Sequence, residues 1–398
     1  MRKLESIHFH QFRGIRDLRL EHLGQVNLLV GTNNSGKTSV LEGLSIYCHP
    51  LDLREWFRIA RQREQESRFS QTSILDSIRW LFPKGHSHEK KENEPETGTL
   101  LISGDGLFPV KKLQARYEVI EGLRISERKR MSKLGRSKEN ETLEEVEDET
   151  LEEVEDETPE IRKGIDLHIE IYADSEQLRL LDTIPTFAQD FQLWEDDFIG
   201  KLPGSGRLNL ETSIVTPSSH RSETSQLRLL SKASFQNLKP DVINLLRQVD
   251  SGIIDIEILL SPDSISSRFN AYIQHEKFGL APLSIFGDGV RRLLHIALKL
   301  ASVQGGILLI DELEVTIHTE ALQDSYKWLI RWCKELDVQL FATTHSLEAV
   351  DSLLDVTESE LDLVLHRLEP KETYTRVVRH DWNRLKLLRE ELGQEVRW

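Results

Sequence analysis

The first fifty residues show a clear order of polar and apolar positions. Residues 3–10 and 15–20 alternate between the two, which predicts a pair of strands joined around Arg13 and Gly14. A continuous apolar run predicts a buried strand at 25–30, and helical spacing follows at 37–48. This part of the chain is therefore predicted to hold three strands and one helix.

A second ordered region begins after residue 250. The pattern there predicts a strand hairpin, then helices and short buried strands in alternation, with Gly305 and Gly306 as a break. The hairpin strands are at 253–260 and 268–278, the helices at 290–303 and 318–336, and the buried strands at 307–310 and 339–342. Such alternation is typical of a mainly parallel, doubly wound α/β sheet.

The residues between these regions show weaker patterning and are predicted to form an inserted α+β lobe. The predicted divisions are 1–50 for the first half of the main domain, 51–235 for the lobe, and 236–398 for the second half. The paired strands near the N-terminus add an antiparallel β subdomain. The expected fold is thus a mixed parallel sheet carrying this subdomain and the lobe.

Composition and charge narrow the class of protein. The chain has 398 residues, 38% hydrophobic and 30% charged, which suits a globular protein. It holds no uncharged apolar run long enough to cross a membrane, and its N-terminus has no apolar core of a signal peptide, so we expect a cytoplasmic protein. Cys48 and Cys333 lie in unrelated segments, which excludes a disulfide framework and a zinc motif.

The net charge of −16 comes mostly from one segment. Residues 141–157 contain eleven acidic and no basic residues, and ETLEEVED occurs there twice in succession, at 141–148 and 149–156. Repulsion between these carboxylates predicts disorder or marginal helix over about 128–163. The segment is interpreted as a solvated loop or, alternatively, a contact surface. A second exposed loop is predicted at 88–98.

A glycine-rich motif joins the strand at 25–30 to the helix at 37–48. It fits GxxxxGK[ST], in which backbone amides and a helix N-terminus surround phosphate groups. Lys37 would reach the β- and γ-phosphates of a nucleotide, and Thr38 would offer a hydroxyl to Mg²⁺. The alternative is a glycine turn without a ligand. The candidate binding residues are Gly31, Thr32, Asn33, Asn34, Ser35, Gly36, Lys37 and Thr38.

Two further strand ends offer the groups that such a site needs. The strand at 307–310 is followed by Asp311, a candidate Mg²⁺ ligand, and by Glu312, a candidate general base for an attacking water. Without the glycine-rich motif, a plain acidic strand end would be the simpler reading. After the strand at 339–342, His345 could donate a hydrogen bond to the γ-phosphate.

A second glycine-rich helix start, SIFGDG at 284–289, is not needed by the first motif. With FRGIRDLRL at 12–20, NLLVGTNNSGKTSVLEGL at 27–44, IDELE at 310–314 and ATTHS at 342–346, the chain resembles the RecF/SMC-like ABC ATPases. It particularly resembles the ATPase heads of OLD-family phage-defence proteins. The resemblance covers about residues 1–50 and 240–350 and hardly touches the lobe.

The resemblance implies a P-loop NTPase of the ABC/SMC head type that uses ATP and Mg²⁺. It also implies that Ser284, Gly287 and Gly289 act on the nucleotide of an opposite protomer, so that a homodimer or higher oligomer encloses ATP. Two departures stand out: SIFGDG differs from the Ser-Gly-Gly element of transporters, and residues 311–319 keep His318 but lack the prolines and glycine of relatives. Gln71 is one of several candidates for the glutamine that links Mg²⁺ to the lobe.

A nuclease is not expected in this chain. The Toprim metal site of many OLD-type proteins needs an Asp-x-Asp pair, which the sequence lacks. The predicted function is an ATP-hydrolysing head that gates a separate nuclease or effector, and the resemblance implies a role in anti-phage defence. The alternatives are a RecF-like DNA-repair ATPase, with DNA as ligand, and a slow-turnover, ATP-bound scaffold that sequesters a partner protein.

Overall fold

The computed structural model of the protein describes residues 2–65, 73–83, 96–124, 160–174, 186–195, 208–221, 223–235, 238–260, 269–315, 319–358 and 363–398. A six-stranded sheet forms the centre, with the strand order β15-β14-β3-β13-β12-β8. All neighbours in it are parallel except β15, which runs antiparallel to β14 at one edge. Its strands are β3 (Val26–Val30), β8 (Thr212–Val215), β12 (Ile307–Ile310), β13 (Gln339–Thr343), β14 (Leu363–Pro370) and β15 (Thr375–Asp381).

The central strands are apolar because both faces of the sheet are covered. Every residue of β3, β12 and β13 is buried, as expected for interior parallel strands. Leu29, Leu309 and Phe341 belong to the hydrophobic core on one face, and neighbours such as Leu28 and Leu308 belong to the core on the other. The second face is covered by α7 (Thr319–Glu335) and α8 (Leu347–Val356).

A second, antiparallel sheet lies over the first face, with the order β2-β1-β4-β5-β6-β7. The paired strands predicted at the N-terminus are therefore extended by four more. The strands are β1 (Ser6–Phe12), β2 (Ile15–Leu20), β4 (Thr97–Asp105), β5 (Val110–Arg124), β6 (Glu160–Ala173) and β7 (Phe187–Trp194). The polar-apolar alternation of β1 and β2 buries one side of each strand against the core.

Helix α1 (Lys37–Cys48) lies between the two sheets. It is buried almost all round, because it contacts β1 on one side and β8, β12 and β13 on the other. Gly43 permits this close approach, since a Cβ atom there would stand 2.5 Å from Cε1 of Phe9. Helices α2 (Leu53–Gln65) and α3 (Ile74–Arg79) follow α1.

A smaller sheet with the order β11-β10-β9 completes the fold. It shares a third hydrophobic core with the helices around it, including the first part of α6, whose buried residues also reach the core over the central sheet. These elements are α4 (Glu223–Phe235), α5 (Lys239–Val249), β9 (Ile253–Leu260), β10 (Phe269–His275), β11 (Gly279–Pro282) and α6 (Asp288–Ser302). The last helix, α9 (Trp382–Lys386), packs instead against the core of the central sheet.

The predicted elements outside the lobe match the observed ones to within a few residues. Between 51 and 235 the structure shows something that the weak patterning did not indicate: β4 to β7 extend the sheet of β1 and β2, and β8 joins the central sheet. The domain boundaries at 50 and 235 stay a prediction. Of the segment predicted to be disordered or marginally helical, 128–163, residues 128–159 lie outside the described residues. Residues 160–163 belong to strand β6, so the prediction was wrong for them. Most of the exposed loop predicted at 88–98 also lies outside the described residues. Among the described residues, no helix is both long and apolar enough to span a membrane.

Candidate functional site

The loop between β3 and α1 contains residues whose backbone has a left-handed conformation. Asn34 has φ 61° and Gly36 has φ 95°, a region that glycine adopts freely and asparagine more easily than most residues. Gly31 packs so closely against β14 that an added Cβ would lie 2.7 Å from the carbonyl oxygen of Leu368. The strand, loop and helix therefore have the form that the motif predicts.

Lys37 is folded back onto its own loop. Its Nζ donates hydrogen bonds to the carbonyl oxygens of Gly31 at 2.9 Å and Thr32 at 3.0 Å. Burial lowers the pKa of Lys37, and the nearby carboxylates of Asp311 and Glu312 oppose that shift. The amine thus lies at the mouth of the phosphate-binding loop with an acidic group of side chains close by.

A chain of hydrogen bonds joins α1 to the ends of β12 and β13. The Thr38 hydroxyl donates to Oδ2 of Asp311 at 3.0 Å, and the Thr343 hydroxyl donates to Oδ1 of the same carboxylate at 2.6 Å. The backbone amide of Glu312 donates to Thr343 Oγ1 at 2.8 Å. Glu312 itself has φ 51°, an uncommon conformation for a residue other than glycine and one often found at functional sites.

His345 follows β13 and faces the same cleft. Its backbone amide donates to Oε1 of Glu314 at 2.8 Å, and the Thr344 hydroxyl donates to Oε2 of that carboxylate at 2.7 Å. Burial lowers the pKa of His345, and the positive charge of Lys37 lowers it further. The ring is therefore neutral near pH 7 and carries one N–H donor.

These side chains line a single cleft of about 1360 Å³. The glycine-rich loop and the acidic strand end contribute its polar lining. Apolar side chains from several elements also line it, namely Ile15, Trp80, Phe82 and Pro370. Trp80 is 52% exposed. The candidate residues that the structure brings into this cleft are Asn33, Asn34, Ser35, Gly36, Lys37, Thr38, Asp311, Glu312 and His345.

The lining of the cleft also contains arginines that the sequence analysis did not assign to the site. Arg13 and Arg63 both line the cleft, and both form ion pairs with the fully buried carboxylate of Glu42 on α1, at 2.9 Å and 2.6 Å. The only sequence signal was the placement of Arg13 within the FRGIRDLRL motif. Nothing local to Glu42 indicates that it would meet residues from the turn after β1 and from α2.

The sequence analysis also did not predict the contacts of Arg292, which lies on α6. Arg292 is completely buried, and its guanidinium donates to the carbonyl oxygens of Thr216 at 3.1 Å, Asp311 at 3.0 Å and Glu312 at 2.6 Å. The segment after β8 thereby joins the cleft, where Thr216 and Pro217 are lining residues. One side chain of α6 thus ties together the ends of β8 and β12.

The glycine-rich start of α6 lies elsewhere. Ser284 and Gly287 are exposed, and neither they nor Gly289 line the cleft of their own chain. Gly287 immediately precedes α6, and an added Cβ there would meet no atom within 4 Å. Gln71 and His318 lie outside the described residues.

The donor set suits Mg²⁺. Thr38 and Asp311 place a hydroxyl and a carboxylate oxygen together, and Mg²⁺ prefers oxygen ligands, of which nucleotide sites supply only one or two from side chains. Within the described part of the chain, no group of three or more His, Cys, Asp or Glu forms a separate metal cage. The arrangement fits a metal shared between the protein and bound phosphates.

Comparison with known proteins defines the class of this protein. Residues 2–350 match the family model described as an AAA ATPase domain, and the chain belongs to that family. The prediction of a RecF/SMC-like ABC-type ATPase agrees with this family and with the relatives described next. The fold class predicted from the sequence, a P-loop ATPase with a mainly parallel sheet and an antiparallel β subdomain, is confirmed.

Similar proteins differ in how much of the chain they cover. An ATP/GTP phosphatase of Helicobacter pylori is 22% identical over 90% of this chain and 89% of its own length. The DNA replication and repair protein RecF of Clostridioides difficile is 44% identical over 62 residues, only 16% of either chain. An uncharacterized protein of Methanocaldococcus jannaschii, MJECL10, is 46% identical over 56 residues, and the match spans 24% of its length.

One solved structure with the same outline is an SMC head bound to the C-winged helix domain of ScpA. It aligns over 95% of this chain and 98% of its own, with 10% sequence identity and a TM-score of 0.45. The closeness to OLD-family proteins is not tested by these matches and stays a prediction.

Proposed function

We propose that the chain binds ATP with Mg²⁺ in the cleft and hydrolyses it to ADP and phosphate. The observation that carries this proposal is the hydrogen-bond chain from Thr38 through Asp311 and Thr343 to Glu312. It joins the start of α1 to the Asp311 carboxylate and to the backbone amide of Glu312, so that a candidate metal ligand stands beside a candidate base, the pairing that phosphoryl transfer to water requires.

Nucleotide binding is assigned to the polar and apolar residues that line the cleft. Lys37 would exchange the carbonyl oxygens of Gly31 and Thr32 for the β- and γ-phosphate oxygens, which offer its ammonium group a stronger, charge-assisted hydrogen bond. Thr38 and Asp311 would hold the metal ion, which when bound supplies positive charge to the phosphates. The apolar lining residues, Trp80 among them, would receive the base.

Hydrolysis is assigned to the side chains beside the γ-phosphate. Glu312 orients a water molecule and accepts its proton as the water oxygen attacks the γ-phosphorus. The bond between that phosphorus and the β,γ-bridging oxygen breaks, and its electrons remain with ADP. His345 donates its ring N–H to the γ-phosphate, a role that the lowered pKa and neutral ring permit.

The active unit in this proposal is a homodimer, or a higher oligomer built from such dimers. Ser284, Gly287 and Gly289 of one copy would cap the γ-phosphate held by another. Two facts support this assignment: the start of α6 is exposed, and it does not line the cleft of its own chain. Closure around ATP would then require two chains.

The output of the ATP cycle is proposed to be control of a separate effector, such as a nuclease. Support comes from the motif resemblance to OLD-family heads and from the lack of Toprim carboxylates in the sequence. Anti-phage defence is the biological setting that this resemblance favours. Effector and setting both rest on resemblance, whereas the ATPase rests on the cleft.

The direct test is phosphate release from the purified chain with ATP or GTP, in Mg²⁺ or in EDTA, together with its mass by light scattering. We expect Mg²⁺-dependent release and an ATP-dependent rise from monomer to dimer. Lys37→Ala should show neither, and the exposed Lys327→Ala on α7 should match the wild type. ATP binding without turnover would favour a scaffold, and no binding would contradict the proposal.

The second candidate is a RecF-like ATPase that acts on DNA, favoured by the short RecF match. Duplex DNA binding that weakens steeply with salt would support it, because phosphate contacts release counterions. A protein that hydrolyses ATP but shows no salt-dependent binding to duplex DNA would leave the effector-gating proposal in place.

A further inference from the structure

The last residues of the chain are fastened to the helix that follows His345. Arg389 binds both carboxylate oxygens of Asp351 on α8, at 2.7 Å and 2.8 Å. The same guanidinium donates to the carbonyl oxygen of Gln394 at 2.6 Å. Val396 is 1% exposed and packs in the core beneath the central sheet. Residues 394–398, which we call the C-terminal tail, are thus held against α8.

Arg397 is oriented by its neighbours in the tail. Its Nε and one terminal nitrogen donate to the two carboxylate oxygens of Glu395, both at 2.8 Å, a geometry that fixes the plane of the guanidinium. The guanidinium carbon also lies 4.0 Å from the centre of the Trp398 ring. The other terminal nitrogen donates to the backbone carbonyl oxygen of His345.

Both backbone groups of His345 are therefore held by side chains. The amide donates to Glu314, which follows the acidic end of β12, and the carbonyl accepts from Arg397. The ring between these two anchors lines the nucleotide cleft. A side chain fixed at both backbone atoms keeps its direction better than one held at a single atom, because the peptide groups on either side cannot rotate freely.

We propose that Arg397 is a positioning residue that aims His345 at the γ-phosphate, and that the C-terminal tail is part of the catalytic apparatus. The proposal rests on the function proposed above for His345. Arg397 contacts no substrate; it acts by holding the loop. Removing it should lower kcat about tenfold, the scale of one charge-assisted hydrogen bond. KM should change less than about twofold, since Lys37 and the glycine-rich loop still bind the phosphates.

Steady-state kinetics of Arg397→Ala, Arg397→Lys, His345→Ala and the double variant test the idea. The lysine variant should regain part of kcat, because its ammonium can still donate to the His345 carbonyl. In the His345→Ala background, Arg397→Ala should have no further effect, since nothing remains to be aimed. Arg331→Ala is the matched control, because it removes an arginine of an exposed ion pair on α7, which does not line the cleft.

The outcomes separate the two proposals. A wild-type kcat in His345→Ala would remove the role of His345 itself, and this inference with it. An impaired His345→Ala beside a wild-type Arg397→Ala would overturn only the tail proposal. Full additivity in the double variant would do the same, because it would show that Arg397 acts on turnover by some other route.

Hydrogen exchange gives a readout that does not depend on turnover. In Arg397→Ala without nucleotide, the amides of 344–349 should exchange about tenfold faster than in Arg331→Ala, while the melting temperatures of the two variants stay alike. Unchanged exchange in this segment would contradict the proposal even if the chain were inactive.

Discussion

The two glycine-rich helix starts of this protein differ in what surrounds them. The loop before α1 is enclosed: Lys37 and Thr38 are bonded to their own loop and to the end of β12, within one chain. The start of α6 is exposed, and large apolar side chains lie uncovered close to it in sequence, with Phe278 63%, Leu280 51% and Ile285 62% exposed. The first is bonded within its own site, whereas the second keeps large apolar surface exposed although Asp288 pairs with Arg221 and Phe278 stacks on His275.

This difference indicates where one copy of the protein would act on the nucleotide site of another. Arg292 on α6 holds the carbonyl oxygens of Asp311 and Glu312, so the exposed helix start and the enclosed site belong to one rigid connection. A contact made at the start of α6 is therefore only a helix turn or two from the catalytic strand end. Variants that affect one region and spare the other can break or confirm this picture.

The largest effect is expected at the enclosed region. Glu312→Gln should lower turnover about 10²- to 10⁴-fold, the usual contribution of a positioned general base. ATP binding should be kept, and the ATP-bound dimer should accumulate in light scattering. Glu335→Gln, a change on the exposed side of α7, is the control. Ordinary turnover in Glu312→Gln would remove the assignment of this residue as the base.

At the exposed region, Gly287→Asp and Ser284→Arg should each lower hydrolysis about 10²-fold or more and prevent ATP-driven association, because a capping group lost from the second copy removes several kcal/mol of transition-state stabilisation. Gly287 has φ −58° and open space around it, so an aspartate fits without strain, and its charge favours the helix N-terminus. Nucleotide affinity of the monomer, measured by titration, should stay within about twofold. A parallel loss of affinity would argue against a site shared between copies.

Lys37→Ala tests nucleotide binding at the enclosed helix start. Loss of its charge-assisted hydrogen bonds should weaken ATP binding about 10- to 100-fold. The same titration that finds Gly287→Asp unchanged should detect this loss, with Lys327→Ala as the control. Equal affinities for Lys37→Ala and Gly287→Asp would mean that the two helix starts do not have the separate roles described, which are nucleotide binding at α1 and association at α6.

The helix that links the regions should be sensitive to acid. His295 on α6 is 1% exposed, and burial lowers its pKa from 6.5 to about 3. The unfolded chain therefore takes up a proton below pH 6.5 that the folded chain refuses, so stability is complete above that pH and declines as the pH falls toward 3. At about pH 5 the loss should be about 2 kcal/mol. Urea unfolding at about pH 7.5 and 5 should show a smaller pH effect in His295→Leu; an unchanged effect would contradict it.

The smallest effect is expected for deletion of residues 141–157, a segment remote in sequence from both helix starts. Eleven carboxylates without basic partners cannot belong to a packed core, so folding and basal phosphate release should be kept. The melting temperature should change by no more than a few degrees. A larger fall would show that the repeats are structural.

The sequence patterns predicted those elements whose formation depends on residues close together in the chain. The strand before Gly31, the helix after it and the short apolar strand before Asp311 could be recognised because each lies in one continuous run. Strand β8 has only four residues and follows a stretch without periodicity, so nothing in its sequence indicated a place beside β12.

The missed parts of the candidate site depend on contacts between distant segments. Arg292 meets Thr216 across 76 positions, and Arg397 meets His345 across 52. A buried arginine on an amphipathic helix, or one near a chain end, has no local pattern that names its partner. Only the folded arrangement shows that these guanidinium groups hold the backbone around the cleft.

The burial of α1 between two sheets has a mechanical consequence. The helix that carries Lys37 contacts both the central sheet and β1, and Gly43 against Phe9 leaves it no slack on that side. A shift of the phosphate-binding loop would therefore act on the antiparallel sheet through these contacts. Strand β5 has 15 residues, a length of about 50 Å, so a tilt of about 3° at α1 would displace its far end by about 2–3 Å. If the sheet turns as one body, its long strands therefore enlarge a small shift at the phosphate-binding loop into a displacement of a few ångströms at its periphery.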